Sequence, residues 1–225
     1  MVNILFDCPN VDDFRDELGQ YFTPDDRVAV VALSYYDDFV YDDESWQQVY
    51  GKGIGRCYFE TVEPLGALGI PEENISFINY FSDTREEAIA KIEAASVIYF
   101  TGGLPDRMMD RIVDMGIEDA LRKKDGVIMG YSAGAVIQLS TYHLSPDDDY
   151  SEFGYYRGLG YLDSLSLEVH YEGRPTQDDA IRRVLRERNL PTYATHTRCG
   201  GVIVDDGKIL TVGKVDVYTP PNAAQ

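Results

Sequence analysis

The residues that could do chemistry cluster around one serine. Ser132 stands in Gly130-Tyr131-Ser132-Ala133-Gly134, a Gly-x-Ser-x-Gly pattern. It follows the apolar run Val127-Ile128-Met129 and leads into small, helix-compatible residues. Strand, tight turn, helix is the setting in which this pattern makes a nucleophile elbow. The flanking glycines suit a sharp turn with close backbone approach, and a helix behind the turn would aim N–H groups and its dipole at the same spot. A serine hydroxyl is a weak nucleophile at neutral pH, so the chemistry also needs a base and a group that orients the base.

Three histidines can supply the base: His143, His170 and His196. His143 lies close behind the elbow and reads as a cap for the elbow helix. His196 sits between threonines after a short strand and stays open as a candidate. His170 closes a predicted strand and precedes the loop Tyr171-Glu172-Gly173, where bases sit in open α/β folds, so it leads. The orienting acid stays open among Asp147, Asp148 and Asp149, a run that otherwise reads as a solvated turn. Two N–H donors are needed for an oxyanion. Ala133 offers one, and the Gly102-Gly103 turn, which follows another predicted strand, can offer the second. Arg174 and Arg198 could each pair a substrate carboxylate.

These residues require elements that bring strand ends together. Apolar runs at Val2–Phe6, Arg27–Leu33, Asn74–Phe81, Ser96–Phe100 and Val127–Met129 read as strands. Helical patterns lie between them: 11–21, 46–68 (weakened by Gly51, Gly53 and Gly55), a stretch capped by Thr84 and Glu87, and one from Pro105 to about Lys124. This alternation predicts an α/β fold: three layers, a mostly parallel sheet and helices on both faces. Residues 34–45 form a loop at a strand's carboxyl end. After the elbow come a turn at 145–149, a strand at 165–171, a helix at 176–189 and a short strand at 193–195. A C-terminal hairpin turns at Asp206-Gly207. The tail from Pro220 reads as frayed. No linker or repeat divides the sequence, so one domain over 1–225 is the simplest expectation.

Composition bounds the rest. The chain has 225 residues, 44% of them hydrophobic, and a formal net charge of −19. Such a charge disfavours nucleic acid and anionic membranes as partners, and any acidic substrate would need local arginine or lysine. No apolar run reaches membrane-spanning length. The N-terminus lacks the pattern of a secretion signal, so a cytoplasmic location is expected. Cys8, Cys57 and Cys199 are odd in number and far apart, and the histidines show no metal spacing; neither metal nor cofactor is expected. A homodimer is left open.

Phe100-Thr101-Gly102-Gly103, then a helix, then Gly130-Tyr131-Ser132-Ala133-Gly134-Ala135, then a downstream histidine, resembles the peptidase E and cyanophycinase family of serine peptidases. Gly158-Leu159-Gly160 and the terminal Val202–Lys208 segment extend the resemblance over most of the chain. It implies a class I glutamine amidotransferase-like fold, a nucleophile at Ser132, a base at His170, an acid at Asp147 and an oxyanion region at Gly103 and Ala133. It implies no metal. The implied substrates are small peptides, with aspartyl dipeptides as the narrower expectation. Two departures stand out: Leu104-Pro105 follows the glycine pair where the family commonly has Asn-Thr, and Thr197-Arg198-Cys199-Gly200 stands where many relatives carry an acid. The rival readings are a non-catalytic binding or assembly module on the same fold and an amidotransferase-type hydrolase. The latter normally needs a cysteine at the elbow, where Ser132 stands.

Overall fold

Five of the apolar runs pair side by side in parallel. In the computed structural model, which describes residues 1–9, 11 and 14–221, they are β1 (Val2–Phe6), β2 (Val28–Val31), β3 (Ile75–Ile78), β4 (Val97–Phe100) and β5 (Val127–Tyr131). Among these five the sheet order is β1-β5-β4-β2-β3. β9 (Thr192–Asp205) runs antiparallel to β1, and β10 (Lys208–Tyr218) antiparallel to β9. β8 (Ser166–Tyr171) lies parallel to the first half of β9. A separate two-stranded ribbon pairs β6 (Thr141–Leu144) with β7 (Gly154–Arg157).

The strand alternation explains the three layers. Val28, Val30, Tyr99 and Met129 face α2 (Asp43–Tyr50) and α3 (Arg56–Ala67), packing with Trp46, Tyr50 and Leu65. Ala29, Val31, Ile98 and Ile128 face the opposite side. There they meet Ala88 and Ile92 of α4 (Arg85–Ala94), Met108 and Ile112 of α5 (Pro105–Asp114) and Leu121 of α6 (Glu118–Arg122). Residues buried on both faces account for the near-continuous apolar runs. Thr84 and Glu87 form the expected capping box on α4, and Pro105 opens α5.

Several boundaries differ from expectation. The helical pattern over 46–68 divides into α2 and α3 at the Gly51–Gly55 segment, and the one after Pro105 divides at Gly116. The helix near the N-terminus is short, α1 (Arg15–Leu18); Asp12 and Asp13 of the predicted span lie outside the described residues, as do 222–225 of the tail. The short strand at 193–195 belongs to the 14-residue β9. Its polar middle hides the continuity, but β10 pairs along both halves, β8 flanks the first and β1 the second. The elbow helix, α7 (Ala133–Val136), is one turn long, so its dipole contributes less than a long helix would. His143 therefore caps no helix; it lies buried on β6. Among the described residues no helix is long and apolar enough to cross a membrane.

Candidate active site

β1, β4 and β5 end together at the carboxyl edge of the sheet, and the register sets what stands there. Phe6 aligns with Tyr131 on one side and Gly201 on the other. The next residues are Asp7 and Ser132, and Ser132 N–H donates to Phe6 O at 2.9 Å. Ser132 has φ 51° and ψ −116°, a conformation that costs a non-glycine residue of order 1–3 kcal/mol. This strained turn lifts its side chain out of the sheet plane. The turn closes because Gly134 has no Cβ, since one there would run into the carbonyl oxygen of Phe100 on β4.

Ser132 Oγ lies 2.8 Å from Nε2 of His170. Nδ1 of the same ring is 3.1 Å from Oδ1 of Asp7, whose side chain is 1% exposed. Asp7 Oδ1 also accepts the backbone N–H of His170 at 2.6 Å, while Oδ2 accepts that of Arg198 at 2.7 Å. His170 sits at a register shift in β8 with φ 54°. From the other side, buried Gln177 donates to His170 O at 2.9 Å. The ring is thus fixed through its backbone and through both nitrogens. With Nε2 accepting from the serine hydroxyl, Nδ1 carries the proton and donates to Asp7. The hydrogen bond to Asp7 outweighs burial and raises the His170 pKa above its ordinary value; the charges of Asp7, Asp147 and Glu168 act in the same direction.

The acid facing the imidazole is therefore Asp7 and not Asp147. Asp147 Oδ1 accepts the backbone N–H groups of Asp149 and Tyr150, which closes its own turn. It shares a small cavity with His170 and Arg174, near enough to act on the ring by charge alone. Asp149 is held by the Tyr36 hydroxyl at 2.8 Å. Arg174 precedes α8 (Pro175–Arg188), and its guanidinium is 3.6 Å from Glu172. His196 is not at the site, because its Nε2 pairs with Asp216 at 2.9 Å.

Asp7 lies upstream of the nucleophile at the end of β1, apart from the downstream aspartates that the sequence offers. The available signal was an aspartate ending an apolar strand, Phe6-Asp7, at the ligand-binding edge of a parallel sheet.

Gly102 and Gly103 follow β4 beside the elbow. Gly103 has φ 139°, open to glycine but not to other residues, and a Cβ there would meet the Ser34 carbonyl. Leu104 N–H donates to that same oxygen at 2.7 Å, and Ser34 Oγ donates to Gly102 O at 2.5 Å. The loop after β2 thus fixes the glycine turn. The Tyr131 ring packs against Gly102, so the turn and the elbow share one wall. Among the described residues no group of three His, Cys, Asp or Glu side chains could hold a metal ion.

A strained serine on an imidazole, beside a glycine turn, can perform acyl transfer. The model of peptidase family S51 matches residues 58–217, well over half of the chain. The chain belongs to peptidase family S51. It is thus a serine peptidase, in agreement with the motif resemblance. Two solved structures share the S51 chain's fold. One is a candidate peptidase E protein from Listeria monocytogenes EGD-e, at 14% identity and TM-score 0.65, covering 95% of this chain and 98% of that one. The other is a peptidase from an acI-B1 Actinobacterium, at 15% identity and TM-score 0.61, covering 99% and 91%. No curated protein matches the chain.

Proposed function

We propose that this S51 chain hydrolyses short peptides through an acyl-enzyme on Ser132. The observation that carries the reading is the 2.8 Å approach of Ser132 Oγ to His170 Nε2, made from a strained elbow. His170 takes the hydroxyl proton as Oγ attacks the scissile carbonyl. Asp7 holds the tautomer and steadies the imidazolium that forms. The carbonyl oxygen becomes an oxyanion, and the N–H groups of Ala133 and Gly103 donate to it. His170 then gives its proton to the departing amine. Water enters and gives its proton to His170 as its oxygen attacks the ester; His170 then returns that proton to Ser132 Oγ as the acid departs.

A non-catalytic module needs no histidine on this serine, so the contact weighs against that alternative. A preference for N-terminal aspartate is the narrower form of the proposal; it rests on the family resemblance. The test is labelling by a fluorophosphonate probe together with hydrolysis of a dipeptide panel with acidic and neutral first residues. Wild-type chain should label and turn over. Ser132→Ala should lose labelling and about 10⁴- to 10⁶-fold in kcat while keeping its circular dichroism spectrum. Equal hydrolysis by that variant would remove the mechanism.

A further inference from the structure

The triad leaves one arginine unexplained. Arg198 is a non-glycine residue at φ 62°, a conformation costing roughly 1–2 kcal/mol. Its backbone N–H is spent on Asp7. Its exposed side chain lines a cavity of about 440 Å³ with Cys8, Pro9, Arg56, Glu60 and Tyr131. Two of these residues are chain neighbours of the triad, since Cys8 follows Asp7 and Tyr131 precedes Ser132. The cavity therefore opens at the same carboxyl edge of the sheet as Ser132 and Asp7. Among the described residues that line it the charges are not balanced: Arg56 pairs with Glu60 at 2.6 Å, which leaves the Arg198 charge for a ligand. In a chain of net charge −19, a cationic pocket at the catalytic edge runs against the global field.

Strand order says which part of a substrate would lie there. Along the sheet edge the strands come in the order β9, β1, β5, β4, and they carry Arg198, Asp7, Ser132 and the Gly102-Gly103 turn. Of the two proposed oxyanion donors, Gly103 lies on the β4 side. His170, which must protonate the leaving nitrogen, stands over Asp7 on the β1 side. A substrate with its carbonyl oxygen toward Gly103 sends its leaving residue toward β1 and β9.

We propose that Arg198 binds the free C-terminal carboxylate of the leaving residue and so sets the discrimination between a free and a capped C-terminus. This rests on the serine-peptidase reading and adds a specificity-determining residue to it. A guanidinium suits a carboxylate because it offers two parallel donors.

The experiment uses Asp-Leu and Ala-Leu, each as free acid and as C-terminal amide. Wild-type chain should favour acid over amide by about 10- to 100-fold in kcat/KM, the range of a charged hydrogen-bonded pair. In Arg198→Asn, chosen because asparagine tolerates left-handed backbone, the acid-to-amide ratio should fall toward one. The ratio is internal to each variant, so any general loss through Asp7 cancels. Calorimetric binding of the same pairs to the Ser132→Ala variant reads the pocket without turnover and should show the same preference. Three results would overturn the proposal: equal handling of acid and amide by wild type, a ratio unchanged in Arg198→Asn, or an Arg198 effect that follows the first residue instead of the C-terminus. Failure of fluorophosphonate labelling at Ser132 would instead sink the underlying reading, and the calorimetric ratio would still decide the pocket.

Discussion

One carboxylate oxygen of Asp7 serves His170 twice, accepting its backbone N–H at 2.6 Å and standing 3.1 Å from its ring Nδ1. The two residues are 163 positions apart. The link ties the end of β1 to the end of β8, and the second Asp7 oxygen ties both to β9 through Arg198. A buried carboxylate with this many donors is well solvated by protein. It sets the imidazole's position and its tautomer together.

Asp7→Asn should therefore cut kcat by on the order of 10⁴, because an amide at this position favours the wrong histidine tautomer. It should also lower stability by about 1–3 kcal/mol, since the amide cannot accept from all three groups. Asp147→Asn should leave kcat within about threefold, because that carboxylate acts on His170 only through space. Steady-state kinetics on the two variants compares the acids directly. A large loss in Asp147→Asn with Asp7→Asn active would reverse the assignment.

The pH profile follows from the raised His170 pKa. The base must be neutral to take the serine proton, so kcat/KM should fall on the acid side with a midpoint above 6.5. Without the Asp7 hydrogen bond the midpoint should move down. Stability has the opposite sense. A histidine whose folded pKa is raised contributes fully below its unfolded pKa, and that contribution is lost as pH rises through the folded value. Urea midpoints of wild type and Asp7→Asn should accordingly differ more at about pH 6 than at about pH 9. A gap that widens with pH would refute the direction.

Much of this was legible in the sequence because the signals were local. Alternating apolar runs and helical stripes gave the parallel sheet and its two helical layers, and Gly-x-Ser-x-Gly gave the elbow. The acid was hidden because its partner is remote: nothing near Asp7 in sequence marks it as facing His170. β9 reads as two pieces in the sequence because its polar middle is irregular: the register with β10 jumps from Thr195 to Gly200, and Arg198 between them has φ 62°. His143 reads as a cap because nothing in the sequence marks the end of the elbow helix after one turn.

Gly134→Ala should disable the enzyme without touching a reacting atom. The added methyl meets the Phe100 carbonyl on β4, which is fixed backbone that cannot swing aside. Elbow and strand must separate, at a cost of about 1–3 kcal/mol or more. Labelling of Ser132 should fall steeply while the far-UV spectrum stays near native. Labelling at the wild-type rate would show that the close packing of elbow on β4 is dispensable.

A second serine–histidine–acid group lies behind His170, and the burial of its members argues that it is structural. Glu168 Oε2 is 2.7 Å from His143 Nε2 and accepts the Ser145 hydroxyl at 2.7 Å; His143 Nδ1 is 3.1 Å from Ser166 Oγ. The His143 side chain is fully buried and that of Glu168 is 4% exposed, so no peptide carbonyl can reach Ser166. The group is the polar seam between β8 and the β6–β7 ribbon. His143→Ala strips Glu168 of a buried partner and should cost about 3–5 kcal/mol, read as a lower urea midpoint. At low temperature, with the fold intact, Ser132 should still take the fluorophosphonate probe. A Ser132→Ala enzyme with residual hydrolysis that His143→Ala abolishes would instead make this seam a second active centre.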